Sequence, residues 1–197
     1  MENSSVIIIQ KYIRKFLIYK KILIPSSYYQ TKQWRQQREW YKNGKYNECE
    51  KYQISTIEKI ISLKLNKTYE RIHITSFDII ENKNPMTFEN GFEFTENFDG
   101  IINKNNKTYY YNLKFVCDQG GSQTRTLREV YHFIYCQLEY IIEHNSTSIY
   151  FINILDGNTC YQHMNKFTYL LKKYNHIHPY IFIGDLHQYQ NSPKYMP

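Results

Sequence analysis

Asp99, Asn112 and Lys114 stand in the spacing D-x12-N-x-K, and the stretch between the first and the last reads as two strands joined by a tight turn. A hairpin brings such positions side by side. Asp99 is a hard oxygen ligand of the kind Mg²⁺ takes. Asn112 and Lys114 are two apart on one predicted strand, so both point to the same face. A carboxylate, a lysine and a metal ion at a hairpin end can polarise a phosphodiester and activate water. The lysine also offsets negative charge building on phosphorus. Gln123, Arg125 and Arg128 surround the start of the next predicted helix. A helix N-terminus with guanidinium groups nearby suits a phosphate.

The elements that must position these residues follow from patterning. Residues 5–24 read as a basic amphipathic helix with Ile9, Ile13, Phe16 and Leu17 at helical spacing, stopped by Pro25. Residues 32–42 read as a polar helix holding Trp34 and Trp40. Ile54, Ile57, Ile61 and Leu65 recur at spacings of three or four and predict a helix over 46–65. Residues 71–80 are rich in β-branched types and read as extended, and 91–96 alternate like a strand. Residues 103–107 (NKNNK) have turn composition, and 108–117 form a long aromatic strand. Gly120-Gly121 breaks the chain before a helix over about 124–143. A strand over 148–155, a helix over 160–173 and a strand over 179–184 complete the order, and the last seven residues are expected to fray. The expected organisation is a helical appendage over 1–44, a main domain over 45–190 and a tail over 191–197.

Composition restrains the reading. Of 197 residues none is alanine, while Ile (26), Tyr (21), Lys (19) and Asn (18) dominate. Those four have A/T-rich codons, so abundant Tyr and Lys do not by themselves define a stacking, phosphate-binding surface. Arg numbers only six, which gives the pair Arg125 and Arg128 more weight than two lysines would carry. The net charge of +7 fits an anionic partner, nucleic acid ahead of a membrane surface. Cys49, Cys117, Cys136 and Cys160 are widely spaced, which indicates neither a zinc site nor a disulfide framework and fits a reducing, intracellular compartment. No run of about 18 apolar residues predicts a membrane span, and the start lacks a small-residue cleavage site. His176-x-His178 is the only close histidine pair, and Asp156 and Asp185 read as turn residues at strand ends.

The order helix, three strands, helix, strand with D-x12-N-x-K resembles the PD-(D/E)xK nuclease superfamily. The runs TENFDG, YYYNLKFVCDQGGSQTRTLREVYHFI, FINILDG and YIFIGDLH resemble type II restriction endonucleases over roughly residues 50–190. The resemblance implies an α/β restriction-endonuclease-like core with an extra C-terminal helix and strand. It implies Mg²⁺-dependent hydrolysis of double-stranded DNA, by a homodimer that cuts both strands. Asp99 would hold the metal and Lys114 would stabilise charge and orient water. The family's second acid, two residues before the lysine, is Asn112 here, a neutral and poorer ligand. Some relatives carry that acid on the following helix, which makes Glu129 the relocated metal ligand, and Glu58 on the preceding helix a supporting acid. Helical phase leaves Glu129 open: it shares a side with Phe133, Cys136 and Tyr140, opposite the stripe of Leu127, Val130, Ile134, Leu138 and Ile141. If the Phe133 side packs on the sheet, Glu129 can reach the metal; if the aliphatic stripe does, it faces away.

Two rival readings accompany the nuclease. The same fold with Asn112 weakening the metal site would bind DNA without cutting it. Alternatively, Ile9-Gln10-x-x-x-Arg14 resembles the start of an IQ motif, which implies a calmodulin-type partner on the N-terminal helix.

Overall fold

In a computed structural model of the chain, residues 34–45, 47–67, 71–74, 79–82, 96–174 and 179–197 are described. The expected helix over 5–24 with Gln10 and Arg14, most of the expected strand over 91–96, and His176 and His178 lie outside them.

The molecule is α/β, built on a four-stranded mixed sheet whose strands lie side by side in chain order. Strands β3 (Gly100–Lys104) and β4 (Lys107–Phe115) form an antiparallel hairpin. Its turn is Asn105-Asn106 with φ of 54° and 60°, left-handed values that asparagine tolerates and that match the twist of a two-residue hairpin. From β4 the chain crosses through α3 (Gly121–His144) to β5 (Ile149–Asp156), which lies parallel to β4. It then crosses through α4 (Asn158–Lys173) to β6 (Ile181–Gly184), parallel to β5. Before the sheet come the short helix α1 (Glu39–Lys42) and the helix α2 (Glu48–Ile61). After it come α5 (Leu186–Gln190) and a 3-10 turn at Pro193–Tyr195.

The sheet is covered on both faces, and the alternation along β4 shows how. Tyr109, Tyr111 and Leu113 join one core with Ile57 and Leu65 from the α2 region and Leu186 and Tyr189 of α5. Tyr110 points the other way into a core with Val130 and Phe133 of α3 and Phe167 and Leu170 of α4. Strand β5 is buried on both faces, which explains its unbroken apolar run.

Three expectations are corrected. Residues 71–80 do not supply a strand to the main sheet; Arg71–Ile74 and Ile79–Asn82 pair with each other as a separate two-stranded ribbon, β1 and β2. The tail does not fray: Tyr195 is buried with its ring 5.4 Å from that of Phe182. Asp185 is more than a turn residue, because it caps α5 by accepting from Gln188 N at 2.7 Å while its own N–H donates to Gln188 Oε1 at 3.0 Å. The described part of the N-terminal segment packs on the domain, with Trp34 against Tyr52 and Phe115 at 5.1 and 6.3 Å and Arg35 paired with Asp118. Among the described residues no helix is long and apolar enough to cross a membrane.

Candidate active site

Asp99 stands one residue before β3, and backbone packing fixes it there. Its N–H donates to Tyr111 O at 2.7 Å, and Asn66 and Ile101 exchange backbone hydrogen bonds at 3.1 and 3.0 Å beside it. Gly100 lies so close beneath Leu65 that an added Cβ would sit 2.4 Å from Leu65 Cγ. Phe98, on the other side, anchors the loop: its ring lies 4.8 Å from Phe133, 4.9 Å from Tyr110 and 5.7 Å from Phe151. Each such aromatic pair adds roughly 0.5–1.5 kcal/mol beyond simple burial.

The carboxylate of Asp99 accepts from Leu113 N through Oδ2 at 2.6 Å, and Oδ1 accepts no hydrogen bond among the described residues. Burial pushes the Asp99 carboxyl up to about 6; Lys114 and the Leu113 N–H oppose that rise, while Glu50 and Glu96 add to it. Lys114 donates to Glu96 Oε2 at 2.7 Å. Burial would lower the Lys114 ammonium, but the charges of Asp99, Glu96 and Glu50 outweigh it and hold the group above its ordinary value, so the lysine stays charged. Both side chains of the Lys114–Glu96 pair are mostly buried, 19% and 14% exposed. Asp99 and Lys114 line an open cleft of about 380 Å³ at the end of β4. Its walls are Glu50 and Gln53 of α2 on one side and Ser122, Gln123 and Thr126 of α3 on the other.

Gln53 locks the strand ends that form the cleft floor. Its amide donates to Lys114 O at 3.0 Å and to Asp156 Oδ2 at 2.7 Å, and Asp156 Oδ1 accepts from Leu186 N at 3.2 Å. Asp156 is therefore a fully buried tie between β5, α2 and α5, beyond the turn role expected of it. The turn after it needs glycine: Gly157 has φ 101°, and a Cβ there would meet Val116 O at 2.3 Å.

The expected site residues divide. Asp99, Lys114 and Gln123 line the cleft together. Asn112 does not line it; its amide donates to Asn153 Oδ1 at 2.9 Å inside the core, where Asn153 and Gln137 bond each other at 2.7 and 3.2 Å. For Glu129, the Phe133 and Tyr140 side of α3 does lie on the sheet, Tyr140 being 6.0 Å from Phe151. The Glu129 carboxylate nevertheless pairs with Arg125 one turn back, at 3.8 Å, and is absent from the cleft lining. Glu58 also stands elsewhere. It binds Lys64 at 2.7 Å and accepts from Leu65 N at 3.1 Å, closing the end of α2. Burial would raise its carboxyl, but those two partners draw it below the ordinary range. Arg128 opens onto a different concavity, between α3 and α4.

Sequence reasoning missed Glu50 and Glu96, the two acids whose charges act on both Asp99 and Lys114. Neither has a motif spacing. Glu50 was discoverable only as an acid in the first turn of the helix preceding the hairpin, and Glu96 only as the acid three residues before Asp99.

The donor set meets the modest needs of Mg²⁺. Among the described residues no three His, Cys, Asp or Glu side chains form a ready metal cluster. Mg²⁺ commonly takes one or two carboxylates and fills its remaining positions with water and substrate phosphate. Asp99 has one oxygen without a hydrogen bond, and Glu50 shares its cleft. Compared with family models, curated proteins and solved structures, the chain matches none.

Proposed function

We propose that the protein is a Mg²⁺-dependent endonuclease that hydrolyses phosphodiester bonds of double-stranded DNA, of type II restriction-like character and working as a homodimer. The observation that carries this reading is the mostly buried, charged pair Asp99 and Lys114 at a hairpin end, in an open cleft, with Glu96 and Glu50 acting on both. The net charge of +7 favours a polyanionic substrate.

In this reading Lys114 Nζ donates to a non-bridging phosphoryl oxygen and offsets the charge that grows as water attacks phosphorus. Glu96 Oε2, hydrogen-bonded to Lys114 from outside the cleft lining, positions the ammonium, and the proton of the attacking water leaves to solvent through the open cleft. Gln123 and the start of α3 wall the cleft where the flanking phosphate lies. A Mg²⁺ held by Asp99 and Glu50 would supply Lewis-acid polarisation of the phosphoryl group and a more acidic water.

A second reading has its own observation. Asn112, where the family pattern has an acid, is neutral and fully buried, which favours a module of the same fold that binds DNA without cutting it. Incubation of supercoiled plasmid with the full chain and Mg²⁺ separates the two. Nicked and linear products that vanish with chelator and with Asp99→Ala support the enzyme. Intact plasmid with Mg²⁺ or Mn²⁺, together with retained DNA binding, supports the module.

A further inference from the structure

The helix that walls the cleft with Ser122, Gln123 and Thr126 turns another stripe, Thr124, Leu127, Arg128 and Tyr131, into a groove against α4. That groove has a volume of about 610 Å³, within the usual range of ligand sites. Its floor is apolar: Leu127 and Phe167 are buried, and the rings of Tyr131 and Phe167 lie 6.3 Å apart. Its rim is cationic and aromatic, formed by Arg128, Lys166, His163 and Tyr169, and no Asp or Glu lines it. Among the described residues, Arg128 and Lys166 make no ion pair. Tyr169 is 60% exposed and presents its ring at the groove's rim.

We propose that this groove between α3 and α4 holds a single strand of nucleic acid, with backbone phosphates on Arg128 and Lys166 and a base stacked on Tyr169. Cations without an ion pair among the described residues supply the sequence-independent attraction to phosphate. Exposed rings beside them supply the stacking that single strands use and duplexes withhold. An acidic peptide would satisfy the cations but would leave the aromatic floor and Tyr169 without a matching group. The inference rests on the nucleic-acid reading of the cleft only for the kind of polymer. Cleft and groove share the first turns of α3, so a strand leaving Lys114 over that helix enters the groove.

The test is fluorescence anisotropy of the full chain with a labelled oligodeoxynucleotide of about 12 nucleotides, within the usual site sizes for single-strand binding. Tyr169→Ala is expected to weaken binding by about tenfold. Arg128→Glu with Lys166→Glu is expected to weaken it further and to lower the slope of log affinity against log salt by about 1.4. No cleavage of duplex DNA by the wild-type chain in Mg²⁺, together with strand binding that the groove variants weaken, would fail the cleft reading and spare this one. Unchanged affinity in both groove variants would overturn the groove site. So would binding of an acidic peptide or heparin that competes fully and is insensitive to Tyr169→Ala.

Discussion

Asn112 and Lys114 stand on one face of β4, two residues apart, in opposite kinds of polar surroundings. Asn112 belongs to a neutral, fully buried trio with Asn153 and Gln137, drawn from β4, β5 and α3. Lys114 belongs to a charged group with Asp99, Glu96 and Glu50 that opens onto solvent through the cleft. Chain position explains the difference. Asn112 pairs in register with Asn153 in the middle of the sheet, under α3, whereas Lys114 lies opposite Leu155 where the strands end and the covering helix begins. The three amides in the middle bond one another, since an unmatched polar group there costs about 1–3 kcal/mol, although Asn112 Oδ1 stays buried without a partner among the described residues. Charged residues at the end can stay only partly satisfied and so keep the capacity to bind.

The hardest strain on this contrast is Asn112→Asp, which restores the acid of the resembled pattern. It places a carboxylate next to Asn153 Oδ1 in the fully buried core and is expected to cost about 3–5 kcal/mol in urea unfolding with no gain in Mg²⁺ affinity. Tighter Mg²⁺ binding by that variant would instead put Asn112 in the site and erase the distinction. Lys114→Ala is expected to lower DNA hydrolysis by about 10²–10³-fold, the usual loss for a group that stabilises developing negative charge.

Asp99→Asn sharpens the contrast through pH. The folded carboxyl sits at about 6 against an ordinary 3.8. A raised folded value means that Asp99 favours the fold only while protonated. Its contribution is complete below about pH 4 and is lost as pH rises through 6. At pH 7 the neutral variant is therefore expected to be more stable than wild type by on the order of 3 kcal/mol, with the gap closing toward pH 3; thermal melts across that range read it. The smallest effect is expected at Glu129→Gln. Its exposed pair with Arg125 contributes at most about 0.5 kcal/mol, and a melt indistinguishable from wild type would agree with that.

Much of the frame was legible in the sequence because it rests on local patterning. The Asn-rich turn set the β3–β4 hairpin, Gly120-Gly121 marked the entry to α3, and the apolar run marked β5. What patterning could not give was pairing across the chain. Nothing local says that Asn112 meets Asn153, that residues 71–80 form their own ribbon, or that Tyr195 returns to Phe182. The site divides the same way. Asp99 and Lys114 followed from hairpin register, whereas Glu50 reaches them only because α2 packs across β4. Gln123, Arg125 and Arg128 were read as one group, yet Gln123 lines the cleft and Arg128 the concavity between α3 and α4, since helical positions five apart point to different faces. One capping signal went unused: Asp185-x-x-Gln188 before Tyr189 announces α5.

The most direct test is the single-turnover rate of duplex DNA cleavage by the full chain in Mg²⁺, for wild type beside Lys114→Ala. Cleavage by wild type, with a loss of about 10²-fold or more in the variant and an unchanged melting temperature, is the expected result. Equal rates in the two proteins, or no cleavage by wild type while it still binds the duplex, would contradict the assignment of the Asp99–Lys114 cleft as a hydrolytic site.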